Sequence, residues 1–408
     1  MLFRSCLRGR WARPLIAFIA ASSLLAGYVY LSVRPSYTLY KSLERLDPEH
    51  SHSVIKPSQK YVRFKQLQGA GFNNQAQEIL LFHHLALSSG RTYAYQPLIW
   101  RPRGEHATVP LSAFLGGVTR NSISSAVFDE ICPESEVKHV KLWDTYETLW
   151  TKTINALRGP ERCIVVDDWI MYWGFLASDA LHDIWPGFKD YLREHFQWSR
   201  FITEIADRAQ SQLHLRSHTS QSEGEPYTAL HLRRGDFEEH CHVLAKEHTG
   251  FTTWATLPEL RSRVAHPPLD TENATSVVEH CYPSLRRILS VIDEHAKAHP
   301  HIRALHMLHD GAWDHPTVYI QVQKLAVALM DASRALAAGW TNGPMKIITH
   351  SGMLPVRLGE ADWAVTVDVE IARRADFFVG NGFSSLSTQI IALRLGADNG
   401  RPEDIVFY

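Results

Sequence analysis

Residues 375–396 read ADFFVGNGFSSLSTQIIALRLG, and the reading of this stretch decides the fold. The apolar run 375–380 has strand character. A Gly-Asn-Gly turn follows (Gly380, Asn381, Gly382), and then a Ser-rich helix start at Ser384 whose helix stops at Gly396. A strand passing through a glycine turn into a helix is the building unit of parallel α/β sheets. Ser384 can cap the helix, and the hydroxyls of Ser384, Ser385 and Ser387 sit beside its free N–H groups, which makes a phosphate cradle. The cradle lacks the Lys of a P-loop, which argues against ATPase or kinase chemistry of that kind.

The same alternation extends outward in both directions. YTALHLR (227–233), IRALHML (302–308) and MKIIT (345–349) read as strands. Residues 282–299, with Pro283 near the start, and 317–338 read as helices. Upstream, YVRFKQL (61–67) is a strand running into GAGFNNQ (69–75), followed by a helix that stops at Gly90. TYAYQPL (92–98) alternates like a strand, and CIVVDDW (163–169) reads as a buried strand ending in carboxylates. Strands alternating with helices imply an α/β protein of two Rossmann-like, doubly wound domains, 61–225 and 226–408. The boundary is placed in the polar run 216–226.

The N-terminus carries a different signal. Arg4, Arg8, Arg10 and Arg13 precede an uncharged stretch from Pro14 to Val33, closed by Arg34. Twenty residues at about 1.5 Å each match a hydrocarbon core of about 30 Å. The positive-inside rule keeps the Arg-rich end, residues 1–13, in the cytosol and sends the rest across. A retained transmembrane helix at 14–33 is favoured, with a cleaved signal as the alternative, because Ala20 to Ser23 supply small residues. Residues 34–60, with Pro35, Pro48 and Pro57 and no periodicity, read as a stem. The expectation is a single-pass type II protein of the Golgi or endoplasmic reticulum membrane with its catalytic part in the lumen. The terminal Phe-Tyr is not a KDEL-type signal and leans toward the Golgi.

Composition supports a lumenal globular body. Of the five Cys, Cys6 falls on the cytosolic side, and Cys132, Cys163, Cys241 and Cys281 allow two disulfides in three connectivities. Asn273-Ala274-Thr275 is an N-glycosylation sequon in a polar stretch. Lys plus Arg total 42 against 43 Asp plus Glu, so no global field attracts nucleic acid and none is expected as a partner. Any anion site has to be local.

Ligands of open parallel sheets collect where strand ends enter helices. In GAGFNNQ, Gly69 and Gly71 permit close backbone approach, and Asn73 or Asn74 can cap the next helix. In HLRRGDF (231–237), strand alternation sends His231 and Arg233 to one face and Arg234 to the other. Arg at the end of an apolar strand is costly to bury unless it meets an anion or a partner such as Asp236 or Glu238. The embedded RGD triplet abuts a buried strand and is not read as an adhesion motif. Asp167-Asp168 is the best metal candidate, yet adjacent strand side chains point to opposite faces. His240-Cys241-His242 and the pair His306 and His309 do not form a closed ligand set. No resident cofactor and no metal are expected, and the absence of G-x-S-x-G argues against a hydrolase nucleophile elbow.

Taken together, GAGFNNQ, HLRRGDF and ADFFVGNGFSSLST, in that order, resemble the GDP-fucose protein O-fucosyltransferases and their fucosyltransferase relatives. The third match is long and specific, the second moderate, the first weak. The resemblance implies a GT-B architecture, with GDP-fucose in a cleft between two Rossmann-like domains and inverting transfer without an essential metal. It makes Arg233 the residue that contacts the donor diphosphate and stabilises departing GDP, and Asn74 an active-site residue. Asp236 falls near the family's acidic residue, and Asp236, Glu238, Glu239 or a donor phosphate oxygen can serve as base. Asp376, Ser384 and Ser385 match donor-binding positions. Gly71, Asn73, His231, Gly380 and Asn381 are expected beside the donor. Leu386 departs from the Phe usual after the two Ser residues. The implied partners are a nucleotide-sugar donor and a protein or glycan acceptor, with Ser or Thr hydroxyls of a lumenal protein favoured. A glycan acceptor, another nucleotide sugar and a catalytically silent glycan-binding relative are the alternatives.

Overall fold

Short apolar strands, each feeding a helix, organise the whole body. The computed structural model describes residues 12–32, 36–67, 69–99, 107–217, 223–235, 237–310, 316–398 and 400–408. The first half runs α1 (Ala12–Ser32), α2 (Tyr37–Val54), β1 (Tyr61–Phe64), α3 (Phe72–Ser88), β2 (Thr92–Tyr95), β3 (Leu98–Ile99) and β4 (Thr108–Val109). It continues with α4 (Gly116–Arg120), β5 (Ile123–Ser124), α5 (Ser125–Ile131), β6 (Val137–Val140), α6 (Tyr146–Leu157), β7 (Cys163–Val166), α7 (Trp173–Leu176), α8 (Ala180–His195) and α9 (Arg200–Gln212).

The second half runs β8 (Tyr227–Leu232), α10 (Phe237–Lys246), α11 (Ala274–Cys281), α12 (Leu285–Ala298), β9 (Ala304–His309), α13 (Pro316–Met330) and α14 (Ala332–Ala337). It ends with β10 (Ile347–His350), α15 (Ala364–Arg374), β11 (Phe377–Gly380), α16 (Ser385–Leu395) and β12 (Ile405–Phe407).

Among the described residues these strands make two five-stranded sheets, in the orders β5-β2-β1-β7-β6 and β10-β9-β8-β11-β12. Every pairing in both sheets is parallel. β7 and β8 are buried along their whole length, as strands covered by helices on both faces must be. In each sheet the order reverses beside the first strand, between β1 and β7 and between β8 and β11, so crevices open there at the carboxyl ends.

The second sheet begins at Tyr227, but the helices do not respect a border at residues 225 and 226. α9 packs on α15, and α16 packs on α3 and α8. One apolar core draws on both halves, from Phe64 and Phe82 to Phe378 and Phe407. Phe188 stacks on Trp254 with ring centroids 4.9 Å apart. Trp198 donates its indole N–H to the buried Glu370 carboxylate at 3.0 Å.

Two expectations need correction. Residues 37–54 are not a spacer but a docked helix, α2. Leu39 and Leu43 pack against the core, Tyr40 is buried, and its hydroxyl donates to Asp362 at 2.8 Å. The backbone N–H of Ser124 donates to Ser51 Oγ at 2.9 Å, tying the far end of α2 to β5. A narrow apolar stripe among polar residues is enough for docking, although it shows little periodicity. The entrance to α2 also touches the second half, where a β-carbon at Gly359 would stand 3.7 Å from the Ser36 side chain. The helix expected over 317–338 breaks at Asp331, whose carboxylate accepts the Arg334 N–H at 2.9 Å and starts α14.

The cysteines pair as Cys132–Cys163 and Cys241–Cys281, closing loops of 31 and 40 residues. Such disulfides fit an oxidising secretory lumen. α1 is long and apolar enough to cross a membrane over Pro14–Leu31, and none of that span is buried.

Candidate active site

The crevices of the two sheets merge into one cleft of about 500 Å³. Its walls bring together Gly71, Asn73 and Asn74 from the start of α3, His231 and Arg233 from the end of β8, and Ser384 and Ser385 from the start of α16. Three sequence segments far apart in the chain therefore face one space. The N-terminus of α16, eleven residues long, points its unbonded N–H groups at the cleft wall, an arrangement that favours an anion.

Arg233 is partly exposed in the cleft, donates to the Asp310 carboxylate and lies 4.8 Å over the Phe237 ring. The second oxygen of Asp310 accepts the Arg234 backbone N–H at 3.0 Å. One carboxylate thus orients a guanidinium and fixes the turn that presents it. Arg234 goes the other way: it is buried, donates to the Pro283 carbonyl and stacks 4.3 Å over Tyr282. The strand end divides its two cations between ligand space and scaffold.

His231 is buried beside Ser387, with Nδ1 and Oγ 2.8 Å apart. Burial, and secondarily the Arg233 charge, holds its pKa down to about 3, so the ring is neutral at physiological pH. Ser387 Oγ also accepts the Asn381 N–H at 2.9 Å. A hydroxyl has one proton and two lone pairs, and both contacts are compatible with the neutral ring.

Several expected donor contacts are absent from the cleft wall. Asp376 lies at the opposite end of β11, where its carboxylate accepts the Tyr227 N–H at 3.0 Å and helps join β11 to β8. A residue preceding a parallel strand starts at the amino edge, away from the ligand side. Asn381 is buried in the turn, its amide donating to the Cys281 carbonyl at 2.7 Å and its oxygen accepting the Phe383 N–H at 3.0 Å. Gly380 is buried too, with no room for a β-carbon, which would come within 2.8 Å of the Phe378 ring. Ser384 occupies the N-cap position of α16 without a capping side-chain bond. In the first loop Gly71 is the N-cap of α3, so Asn73 and Asn74 fall in its first turn instead of capping it. Gly69, at φ +70, is the loop position that requires glycine. Asp236 lies outside the described residues. Glu238 and Glu239 are exposed on α10, away from the cleft wall.

The cleft contains residues that the sequence reading passed over. Asp310 follows β9 directly, as Arg233 follows β8, and the same strand-end logic identifies it. Asp368 on α15 lines the cleft, with Oδ1 3.0 Å from His306 Nε2, while His306 Nδ1 meets Thr349 Oγ1 at 2.8 Å. The run Gln75-Ala76-Gln77-Glu78 is polar at the start of an otherwise apolar helix, and each polar side chain braces the site. Gln75 donates to the carbonyls of Ala70 and Ile99 at 2.9 and 2.7 Å. Gln77 donates to the Ser385 carbonyl at 3.0 Å, joining the two halves across the cleft floor. Glu78 accepts from the Leu67 N–H and the Trp169 indole. Burial raises its pKa to about 8 against the opposing pull of those bonds.

Asp167 and Asp168 diverge as strand geometry requires. Asp167 faces His139 at 3.0 Å, while Asp168 accepts the backbone N–H groups of Leu142 and Trp143. Among the described residues no group of three or more His, Cys, Asp or Glu is placed to hold a metal ion.

Two parallel doubly wound sheets with a shared carboxyl-edge cleft define a GT-B fold of the fucosyltransferase-like type. Crystal structures of POFUT1, a GDP-fucose protein O-fucosyltransferase, share it. The complex with GDP-fucose superposes with a TM-score of 0.55 at 14% identity, covering 87% of this chain and 98% of that chain. The complex with GDP gives 0.53 at 14%, covering 87% and 99%, and the apo form 0.52 at 15%, covering 83% and 96%. No protein-family model matches the chain, and no curated protein matches it by sequence.

Proposed function

We propose that the chain is a glycosyltransferase that moves fucose from GDP-fucose to an acceptor hydroxyl, inverting and without an essential metal, held to a secretory membrane by α1. The observation that carries this reading is the convergence of Arg233, neutral His231 and the α16 N-terminus on one cleft. The fold is that of POFUT1, whose crystal structures contain GDP-fucose and GDP. A fixed guanidinium and a helix N-terminus supply the positive potential a diphosphate needs.

In the reaction, the acceptor oxygen bonds to the anomeric carbon as the bond from that carbon to the β-phosphate oxygen breaks. The electron pair stays on GDP and the acceptor proton leaves with it. Arg233 and the α16 N–H groups stabilise the charge growing on the leaving phosphate, an effect worth about 10²–10³ in rate per pre-organised donor. Asn74, exposed at the cleft mouth, orients the acceptor hydroxyl. The described cleft carboxylates, Asp310 and Asp368, are engaged by Arg233 and His306, which leaves Asp236 or a donor phosphate oxygen as the proton acceptor in this reading. Asp368 also offers acceptor oxygens suited to the N–H edge of guanine.

The deciding measurement is thermal unfolding of the chain with GDP, GDP-fucose and UDP. A ligand at 100 times its Kd stabilises by about 2.7 kcal/mol. Protection by GDP and GDP-fucose alone supports the donor. Protection by UDP keeps a glycosyltransferase and discards fucose. Protection by GDP without turnover on any acceptor supports a silent relative. Turnover should survive EDTA, and loss restored by manganese would overturn metal independence.

A further inference from the structure

The carboxyl edge of the first sheet continues past the cleft. Its strands run outward in the order β1, β7, β6. β1 leads to Asn74 in the first turn of α3, β7 to Tyr172 and to Trp173 at the start of α7, and β6 to Trp143 and to Tyr146 at the start of α6. Trp173 lines the donor cleft and is 50% exposed. Trp143 is 67% exposed and stacks on Tyr172 with ring centroids 4.9 Å apart and an interplanar angle of 25°. Tyr146 lies 5.6 Å from Tyr172, over Gly174, where a β-carbon would come within 2.8 Å of its hydroxyl. The result is an aromatic shelf that starts at the cleft lip and runs outward from it.

The backbone under the shelf is anchored by hydrogen bonds. The Trp143 N–H is bound by Asp168 at 3.2 Å, and its carbonyl accepts from Lys152 Nζ at 3.2 Å. Lys152 also pairs with Asp144 at 3.0 Å. The backbone of Trp143 is therefore tied on both sides while its indole stays in water. An exposed, contiguous aromatic surface with a polar rim marks a recognition site.

We infer that this shelf binds the acceptor as a glycan, stacking the C–H face of a hexopyranose with equatorial hydroxyls on the open face of Trp143, whose other face rests on Tyr172. The inference rests on the adjoining cleft being the donor site. Two features favour sugar over peptide. The shelf offers an exposed indole face backed by a second ring instead of an apolar pocket for a side-chain anchor. Its rim carries Asp144, Glu147 and Lys152, which can accept from and donate to sugar hydroxyls.

The test uses the full chain in detergent, with tryptophan fluorescence and calorimetry against chitotriose, N-acetyllactosamine and cellotetraose. At least one should bind the wild type, and Trp143→Ala should weaken it tenfold or more. Tyr146→Ser should weaken it less. Protection by GDP should be unchanged in both variants, which also shows that they fold. Binding to none of the three sugars, or equal binding by Trp143→Ala, overturns the inference. So does equal binding of a glycoprotein before and after enzymatic deglycosylation, which would make the shelf a protein-docking surface. Failure of GDP to protect the wild type while sugars still bind would count against the donor reading and leave the shelf standing.

Discussion

Asp310 holds Arg233 and the turn behind it at once, one oxygen on the guanidinium and the other on the Arg234 N–H. A cation already paired in this way is pre-organised for a diphosphate. Arg233→Ala should therefore lower kcat by about 10²–10³ in a fucosyl-transfer assay. Arg233→Lys should lower it less, because an ammonium keeps the charge and loses the fork. Asp310→Asn keeps an acceptor for the backbone and should raise KM more than it lowers kcat. Wild-type turnover in both Arg233 variants would remove this residue from the leaving-group role.

Ser387 serves His231 and the Asn381 N–H with a single oxygen. Ser387→Ala orphans two buried polar groups at about 1–3 kcal/mol each. Chemical denaturation should show a lower midpoint with an unchanged slope. Donor affinity should fall with it, since the α16 entrance is built on this hydroxyl.

Gly382 has no room for a side chain. A β-carbon there would come within 2.4 Å of the Phe251 ring, which packs on Phe383 and Phe407. Gly382→Ala should displace that ring and cost about 1–3 kcal/mol, an overpacking penalty. Phe251→Leu in the same chain should recover part of the loss, and melting temperatures of the wild type and the two variants check it.

Stability should peak near neutral pH. His83, His231 and His295 are buried with pKa values of about 3, below the ordinary 6.5, chiefly through burial. As pH falls from 6.5 toward 3, the unfolded chain gains protons that the fold refuses, and stability is lost. Glu78 acts in the opposite sense. Its pKa is raised from 4.5 to about 8, so the stability linked to its protonation is present below 4.5 and lost as pH rises through 8. Three histidines outweigh one carboxyl on the acid side. Melting temperature from pH 4.5 to 8.5 should fall at both ends, and Glu78→Gln should flatten the alkaline limb.

The alternation of strand and helix was legible because parallel strands buried on both faces are continuous apolar runs, as CIVV and YTALHL show. The cleft was legible in outline for the same reason: Arg233 and Ser385 follow such runs. Asp376 misled because a motif read as a string does not say which edge of the sheet each residue occupies. Asn381 looked like a ligand contact because a turn amide and a donor contact use the same residue type. Asp368 was hidden because a helix face reaches the cleft only through tertiary packing. The braces Gln77 and Glu78 depend on partners 308 and 91 residues away, Ser385 and Trp169. No local pattern encodes such pairs. α2 escaped notice because docking by a few side chains leaves little periodicity.

The docking of α2 changes what the membrane segment can do. Tyr40 is tied to Asp362 in the second half and Ser51 to Ser124 in the first, so the helix works as a bolt through both and not as a leash. Ser32 and Ser36 are four residues apart, a reach of at most about 14 Å. Ser36 meets Gly359, in the same β10–α15 connection that gives Ser351 and Leu354 to the cleft wall. Were α1 to sit in a bilayer, a connection of that length would keep the body, and the cleft with it, close to the lipid. In that setting the clearance between cleft and lipid would join chemistry as a criterion of choice, with slender or membrane-borne acceptors admitted more readily than bulky ones.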